Sequence, residues 1–189
     1  MKIVCIGDSL TYGYGVPPSK KWVSLLRTST KCDVINKGVN GDTTVGILSR
    51  FSRDCIDLKP NIAVIMAGTN DLLTGRSIDT VVDNIIYMVK ECLNNNITPV
   101  VLIPPLTLPR VAEISWYSSI DYNYVNDMLY EMEDLLTDNF KDISIICINK
   151  LIPLYEEYYI DGIHLTALGN EMIFNRLSSD FEGHLNKLS

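Results

Sequence analysis

The chain has 189 residues, 47% of them hydrophobic and 21% charged, with a net charge of −7. That length suits one domain, residues 1–189, with a substantial core. The acidic balance and the lack of a long Lys or Arg run argue against nucleic acid or an anionic membrane surface as partner, and no apolar stretch approaches the ~20 residues of a membrane helix.

The five cysteines, Cys5, Cys32, Cys55, Cys92 and Cys147, are odd in number, scattered and never in Cys-x-x-Cys spacing. They read as small buried apolar residues of a reducing compartment, not as a disulfide framework, a metal centre or a redox pair. Met1 leads directly into an apolar run that polar Gly7-Asp8-Ser9 soon interrupts. A cleavable secretory segment is therefore not expected, and a cytoplasmic location is.

Lys2 to Ile6 is a short β-branched run without polar alternation, which predicts a strand buried on both faces. Gly7 is expected to let the chain turn sharply, and Ser9 to sit beyond the strand's carboxyl end, where open parallel sheets bind ligands. A helical turn starting there would favour negative charge near Ser9. Trp22, Val23, Leu25 and Leu26 then predict a helix from about Ser19 to Thr28, and Cys32 to Asn36 a second strand. The loop Lys37 to Thr44 hands over to a helix through an Asp or Thr cap. Thr44, Leu48, Phe51, Cys55 and Leu58 recur at helical spacing until Pro60.

Ile62 to Met66 is a third buried strand, ending in Ala67-Gly68-Thr69-Asn70-Asp71. A helix from about Ile78 to Asn94 is expected to bury Val82, Ile85, Ile86, Val89 and Leu93, and Pro99 to Ile103 to form the fourth strand. Pro104 to Ile120 reads as a long loop, of the kind that is often functional. Tyr122, Val125, Leu129, Met132 and Leu136 form a clean helical stripe, Ile143 to Ile148 a fifth strand, and Thr166 can cap a terminal helix through Met172, Ile173 and Leu177. Buried strands alternating with helices predict a three-layer α/β/α, flavodoxin-like fold with a five-stranded parallel sheet in the order 2-1-3-4-5.

In that topology Ser9, Gly41, Asn70 and the pair Asp161 and His164 follow strands one, two, three and five, so all lie at one rim. Acyl transfer needs a nucleophile, a base, a group that orients the base, and donors for the oxyanion, and each has a candidate here. Taken singly these residues have plainer readings: Ser9 as a helix cap, Gly41 as a left-handed turn, Asn70 and Asp161 as turn residues. Asp8, Asp42 and Asp71 read as loop or cap residues. Arg76, Arg110 and His184 read as solvated side chains. Tyr12, Tyr14, Leu72, Leu73, Trp116, Tyr155, Tyr158 and Tyr159 fall in rim loops, either lining an acyl or alcohol pocket or serving as core and surface.

Four stretches in register, Gly7-Asp8-Ser9-Leu10, Asn40-Gly41-Asp42-Thr43, Gly68-Thr69-Asn70-Asp71 and Asp161-Gly162-Ile163-His164, resemble the blocks of the GDSL, or SGNH, hydrolase family over nearly the whole chain. The resemblance implies a metal-independent, cofactor-free serine esterase for small or medium acyl esters, with thioesterase or lysophospholipase activity also in the family's range. Ser9 would be the nucleophile, His164 the general base and Asp161 its orienting carboxylate. The N–H groups of Ser9 and Gly41 and the Asn70 amide would hold the oxyanion. The rival reading is a non-catalytic flavodoxin-like module with its Ser9 to Gly15 loop around a nucleotide or flavin. It lacks Gly-x-Gly-x-x-Gly spacing and a phosphate-loop lysine, and leaves Asp161 and His164 without a role.

Overall fold

Strand β1 (Lys2–Gly7) lies between β2 (Asp33–Gly38) and β3 (Ile62–Met66), and β4 (Thr98–Ile103) and β5 (Ser144–Cys147) extend the sheet beyond β3. This computed structural model describes residues 1–185, with side chains to residue 180, so the side chain of His184 lies outside the described residues. Every neighbouring pair is parallel and the order is β2-β1-β3-β4-β5, as the strand and helix pattern predicts. Gly7 stands opposite both Gly38 and Met66, so the first three strands end level at one rim.

Successive residues of a strand face opposite sides, and the two cores follow from that alternation. Val4, Ile6, Ala63, Ile65, Val101 and Ile103 pack against α3 (Thr44–Asp54), α5 (Ile78–Asn94) and α7 (Tyr122–Asn139). Ile3, Cys5, Val64, Met66, Val100 and Leu102 pack on the other face against α2 (Trp22–Ser29) and α8 (Ala167–Leu185). The short helices α1 (Ser9–Tyr12), α4 (Thr69–Leu73) and α6 (Pro109–Ser115) all belong to the rim loops.

Several boundaries differ from the sequence pattern for local reasons. The helix expected from Ser19 starts at Trp22, because Pro18–Lys20 forms a separate 3₁₀ turn and Lys21 is extended. The helix expected to run through Leu58 stops at Asp54. Cys55 leaves helical geometry there, a 3₁₀ turn covers Ile56–Leu58, and Lys59 ends that turn in the left-handed region at φ 49°. On α5 the buried face is Val81, Val82, Ile85, Met88, Val89 and Cys92, while Leu93 is 49% exposed: it falls one position past that face. The final strand is shorter than Ile143 to Ile148, since Ile148–Lys150 turns as 3₁₀. The segment 104–120 is not wholly loop but contains α6. The Thr166 hydroxyl donates to the Glu157 carbonyl at 2.7 Å, tying the start of α8 back to the preceding turn.

Among the described residues all five cysteines are unpaired, and no helix is long and apolar enough to cross a membrane.

Trp22 fixes how the first rim loop sits on the sheet. It is fully buried, its indole N–H donates to the Leu10 carbonyl at 2.9 Å, and its backbone N–H donates to Asn170 Oδ1 at 3.1 Å. One residue thereby joins α1, α2 and α8, through its indole and its backbone N–H. Trp22→Ala is expected to destabilise the protein by ~3–5 kcal/mol, read as a lower urea midpoint at unchanged slope.

Candidate active site

The loop after β1 is held by a cap. Asp8 Oδ1 accepts the Leu10 N–H at 2.8 Å, which starts α1 at Ser9 and turns the serine toward the rim. Gly7, expected to allow a sharp turn, has no positive φ and is needed for space, because a Cβ there would stand 2.2 Å from the Met66 carbonyl oxygen.

The loop before α8 brings its histidine to that serine. Asp161 Oδ1 accepts the N–H groups of Ile163 at 3.0 Å and His164 at 2.8 Å, which folds the loop into a tight turn around one carboxylate oxygen. The other oxygen, Oδ2, is 2.8 Å from His164 Nδ1, and His164 Nε2 is 2.9 Å from Ser9 Oγ. With Nδ1 protonated toward Asp161, Nε2 is left to accept the serine proton. Burial pushes the Asp161 carboxyl up, but the bonds from the His164 ring and the two backbone N–H groups outweigh it and hold the acid below its ordinary range. Tyr14 and Trp116 flank the imidazole, with ring centroids 4.5 and 5.7 Å away, so its faces are covered while its two nitrogens are engaged.

Gly41 has φ 74° with open space where a Cβ would go, so its turn demands glycine for the backbone conformation alone. Among the described residues neither its N–H nor that of Ser9 meets an acceptor. The Asn70 side-chain amide donates to the Asp42 carbonyl at 2.9 Å, and its remaining reach is a long contact of 3.4 Å to Asp8 Oδ2. The five sequence-derived candidates thus fall around one rim, three of them in direct hydrogen-bonded series. No cluster of His, Cys, Asp or Glu that could hold a metal ion occurs among the described residues.

Beside His164 and Asn70 opens a cleft of ≈ 380 Å³, lined by Leu73, Thr74, Trp116, Tyr117, Ser119, Ile120, Tyr122 and Ile163. Of the aromatic and leucine candidates only Leu73 and Trp116 line it. Leu72 is core, Tyr159 is buried with its hydroxyl on the Leu106 carbonyl, Tyr12 lies under the Lys21 ammonium, and Tyr155 is exposed. Tyr117 and Ile120 belong to the long segment of the often-functional kind but carry no pattern that singles them out for the cleft, and the place of Tyr122 in the α7 stripe marks it as core.

The acidic rim residues also do more than terminate loops. Asp71 is fully buried and accepts the Thr44 N–H at 2.7 Å and the Thr44 hydroxyl at 2.8 Å, so it caps α3 from a neighbouring loop. Arg76, expected to be solvated, pairs with it at 3.0 Å, and Arg110 pairs with Glu156 at the surface.

A hydroxyl, an imidazole and a carboxylate bonded in series at the carboxyl rim of a parallel sheet is the arrangement that serine hydrolases use to activate a nucleophile. Residues 5–172 match the GDSL-like Lipase/Acylhydrolase family, and the chain belongs to it. An arylesterase of Vibrio mimicus is 31% identical over 147 residues, covering 72% of this chain and 74% of the arylesterase. A lipoprotein of Bacillus subtilis, YqeF, is 33% identical over 113 residues, 53% of this chain, and the match spans only 46% of that lipoprotein. The lipase/acylhydrolase of Enterococcus faecalis shares the fold, with a TM-score of 0.79 at 24% identity over 97% of this chain and 96% of that one.

Burial pushes the Asp8 carboxyl up to about 7, against the pull of the Leu10 N–H and of His164, with Asp42 and Asp71 adding to the rise. An acid whose folded pKa is raised binds its proton more tightly when folded. Its contribution to stability is full below the ordinary carboxylate range and is lost as pH climbs toward 7. Asp8→Asn, which keeps the cap, is therefore expected to remove part of the decline in stability between about pH 5 and about pH 8. Urea midpoints of both proteins at the two pH values measure this, and parallel pH slopes would refute it.

Proposed function

We propose that the protein is a serine esterase that hydrolyses small or medium acyl esters. The series from Ser9 Oγ to His164 Nε2 at 2.9 Å and from His164 Nδ1 to Asp161 Oδ2 at 2.8 Å is the observation that carries this reading. Ser9 attacks the ester carbonyl while His164 takes its proton. Asp161 steadies the imidazolium, and the collapsing tetrahedral intermediate expels the alcohol, protonated by His164. Water, deprotonated by His164, then cleaves the acyl-serine and restores the hydroxyl. Nothing in these steps depends on the leaving atom being oxygen, so thioesters fall within the same chemistry, as do lysophospholipids, which are themselves acyl esters.

The oxyanion is assigned to the N–H groups of Ser9 and Gly41, which have no acceptor among the described residues, and to the Asn70 amide. Asn70 keeps its short bond to Asp42 and gives the oxyanion the hydrogen now in long contact with Asp8. The cleft beside His164 and Asn70 carries apolar and aromatic side chains and no Lys, Arg, Asp or Glu, which suits an uncharged hydrophobic group of the ester. The name of the Vibrio mimicus relative, an arylesterase, agrees with that chemistry. Five unpaired cysteines fit a reducing compartment, and we assign the protein to the cytoplasm on that ground.

The intact mass after exposure to a fluorophosphonate probe tests the nucleophile: one adduct, on Ser9, absent from Ser9→Ala. A folded protein that takes no adduct would overturn the reading. Asn70→Ala is expected to retain its fold and lose on the order of 10²–10³ in kcat; unchanged turnover would reject Asn70 as an oxyanion donor. Trp116→Ala is expected to raise KM several-fold for esters with a bulky apolar group and to leave acetate esters nearly unaffected, as a comparison of KM across chain lengths would read.

A further inference from the structure

We propose that Arg50 is a positioning residue for the oxyanion pocket, fastening the end of β1 to the loop that carries Gly41 and Asp42. The proposal rests on the esterase reading above and extends it to a side chain on α3 that contacts none of Ser9, Asp161 or His164.

The guanidinium is a buried hub, its side chain only 11% exposed. Nε donates to Asp42 Oδ2 at 2.8 Å, Nη2 to the Gly7 carbonyl at 3.0 Å, and Nη1 to the Lys37 carbonyl at 2.9 Å and to Asp54 Oδ2 at 3.2 Å. Gly7 stands two residues before Ser9, Lys37 is the penultimate residue of strand β2, and Asp42 follows Gly41. One planar fork therefore spans the segment that presents the nucleophile and the segment that presents the Gly41 N–H. The path continues through Asp42, whose carbonyl accepts the Asn70 amide at 2.9 Å. All three assigned oxyanion donors hang from this fork: Ser9 through Gly7, Gly41 through Asp42, and Asn70 through the Asp42 carbonyl.

Anchoring α3 does not require these bonds. That helix already buries Ile47 and Phe51, is capped by Thr43, and is held by Asp71 at Thr44. What the fork adds is a fixed separation between two loops, and oxyanion donors act only when placed to within a few tenths of an ångström. Lysine would keep the charge but, as a point donor, could not span Asp42, Lys37 and Gly7 together.

The test is a double-mutant cycle on a soluble chromogenic ester, with each variant's fold checked by circular dichroism and urea midpoint. Arg50→Lys is expected to lower kcat by on the order of tenfold with KM nearly unchanged, because the lost placement matters in the transition state. In the Asn70→Ala background the same substitution is expected to cost only about twofold, because part of what Arg50 positions is already gone. Asp42→Asn, which leaves Arg50 in place, is expected to reproduce the kcat loss and keeps the test decisive should Arg50→Lys fail to fold. A full, equal loss in both backgrounds, or a loss confined to KM or to thermal stability, would overturn the proposal. An Asn70→Ala enzyme as fast as wild type would instead remove the oxyanion reading on which the proposal stands, and the cycle reports that outcome separately.

Discussion

The site depends on keeping a hydroxyl at the end of the first strand 2.9 Å from an imidazole 155 residues further along the chain. A parallel sheet makes this feasible, because all of its strands end at the same rim and every loop there returns to it. The register of Gly7 against Gly38 and Met66 then levels the first three loops to one residue. Two tight turns finish the placement, each built on an aspartate that accepts nearby backbone N–H groups: Asp8 ahead of Ser9, Asp161 ahead of His164. Side chains held this way have few alternative rotamers, so the geometry is set by backbone and not by solvent-exposed contacts.

Four aspartates crowd this rim, and their partners differ in a way that matters for charge. Asp42 has Arg50, Asp71 has Arg76, and Asp161 has His164, but Asp8 meets no cationic side chain within ion-pair distance among the described residues. Burial therefore outweighs the pull of the Leu10 N–H and of His164 on Asp8, with Asp42 and Asp71 adding to the rise, and its carboxyl is pushed up to about 7. The consequence is local. Asp8 lies next to Ser9 and 3.4 Å from the Asn70 amide, where a full negative charge would oppose an oxyanion. A carboxyl that resists ionisation there weakens that opposition while still capping α1.

What the sequence made legible follows from what periodicity and punctuation can encode. Continuous apolar runs marked β1, β3 and β4, the α7 stripe marked its helix, and alternation of the two pointed to a parallel sheet with 2-1-3-4-5 as its economical order. The loop residues Ser9, Gly41, Asn70, Asp161 and His164 stood out through four short blocks that resemble the GDSL family, and the strand ends put them at one rim. Cross-loop partners leave no such trace. The link from Asp71 to Thr44 joins residues 27 apart, and that from Arg50 to Gly7 joins residues 43 apart, with nothing in either local pattern to announce them. A buried arginine on an amphipathic helix looks, in sequence, like any solvated one. Helix ends depart from the apolar spacing where a 3₁₀ turn adjoins the helix, Ile56–Leu58 after α3 and Pro18–Lys20 before α2, because that spacing does not separate the two kinds of helix.

The division between the cleft and the series of Ser9, His164 and Asp161 is itself physical. Those three residues stand on turns built around aspartate-to-backbone hydrogen bonds, whereas much of the cleft wall comes from 116–122, where α6 ends and α7 begins. Tyr117 is 66% exposed and Trp116 43% exposed, so neither contributes much to the core. The two regions touch: Trp116 lies beside the His164 ring, 5.7 Å between centroids, and the Leu108 N–H donates to the Gly162 carbonyl at 2.7 Å, inside the turn between Asp161 and His164. Changes that shift α6 as a body reach the imidazole through Gly162, and must appear in turnover as well as in binding.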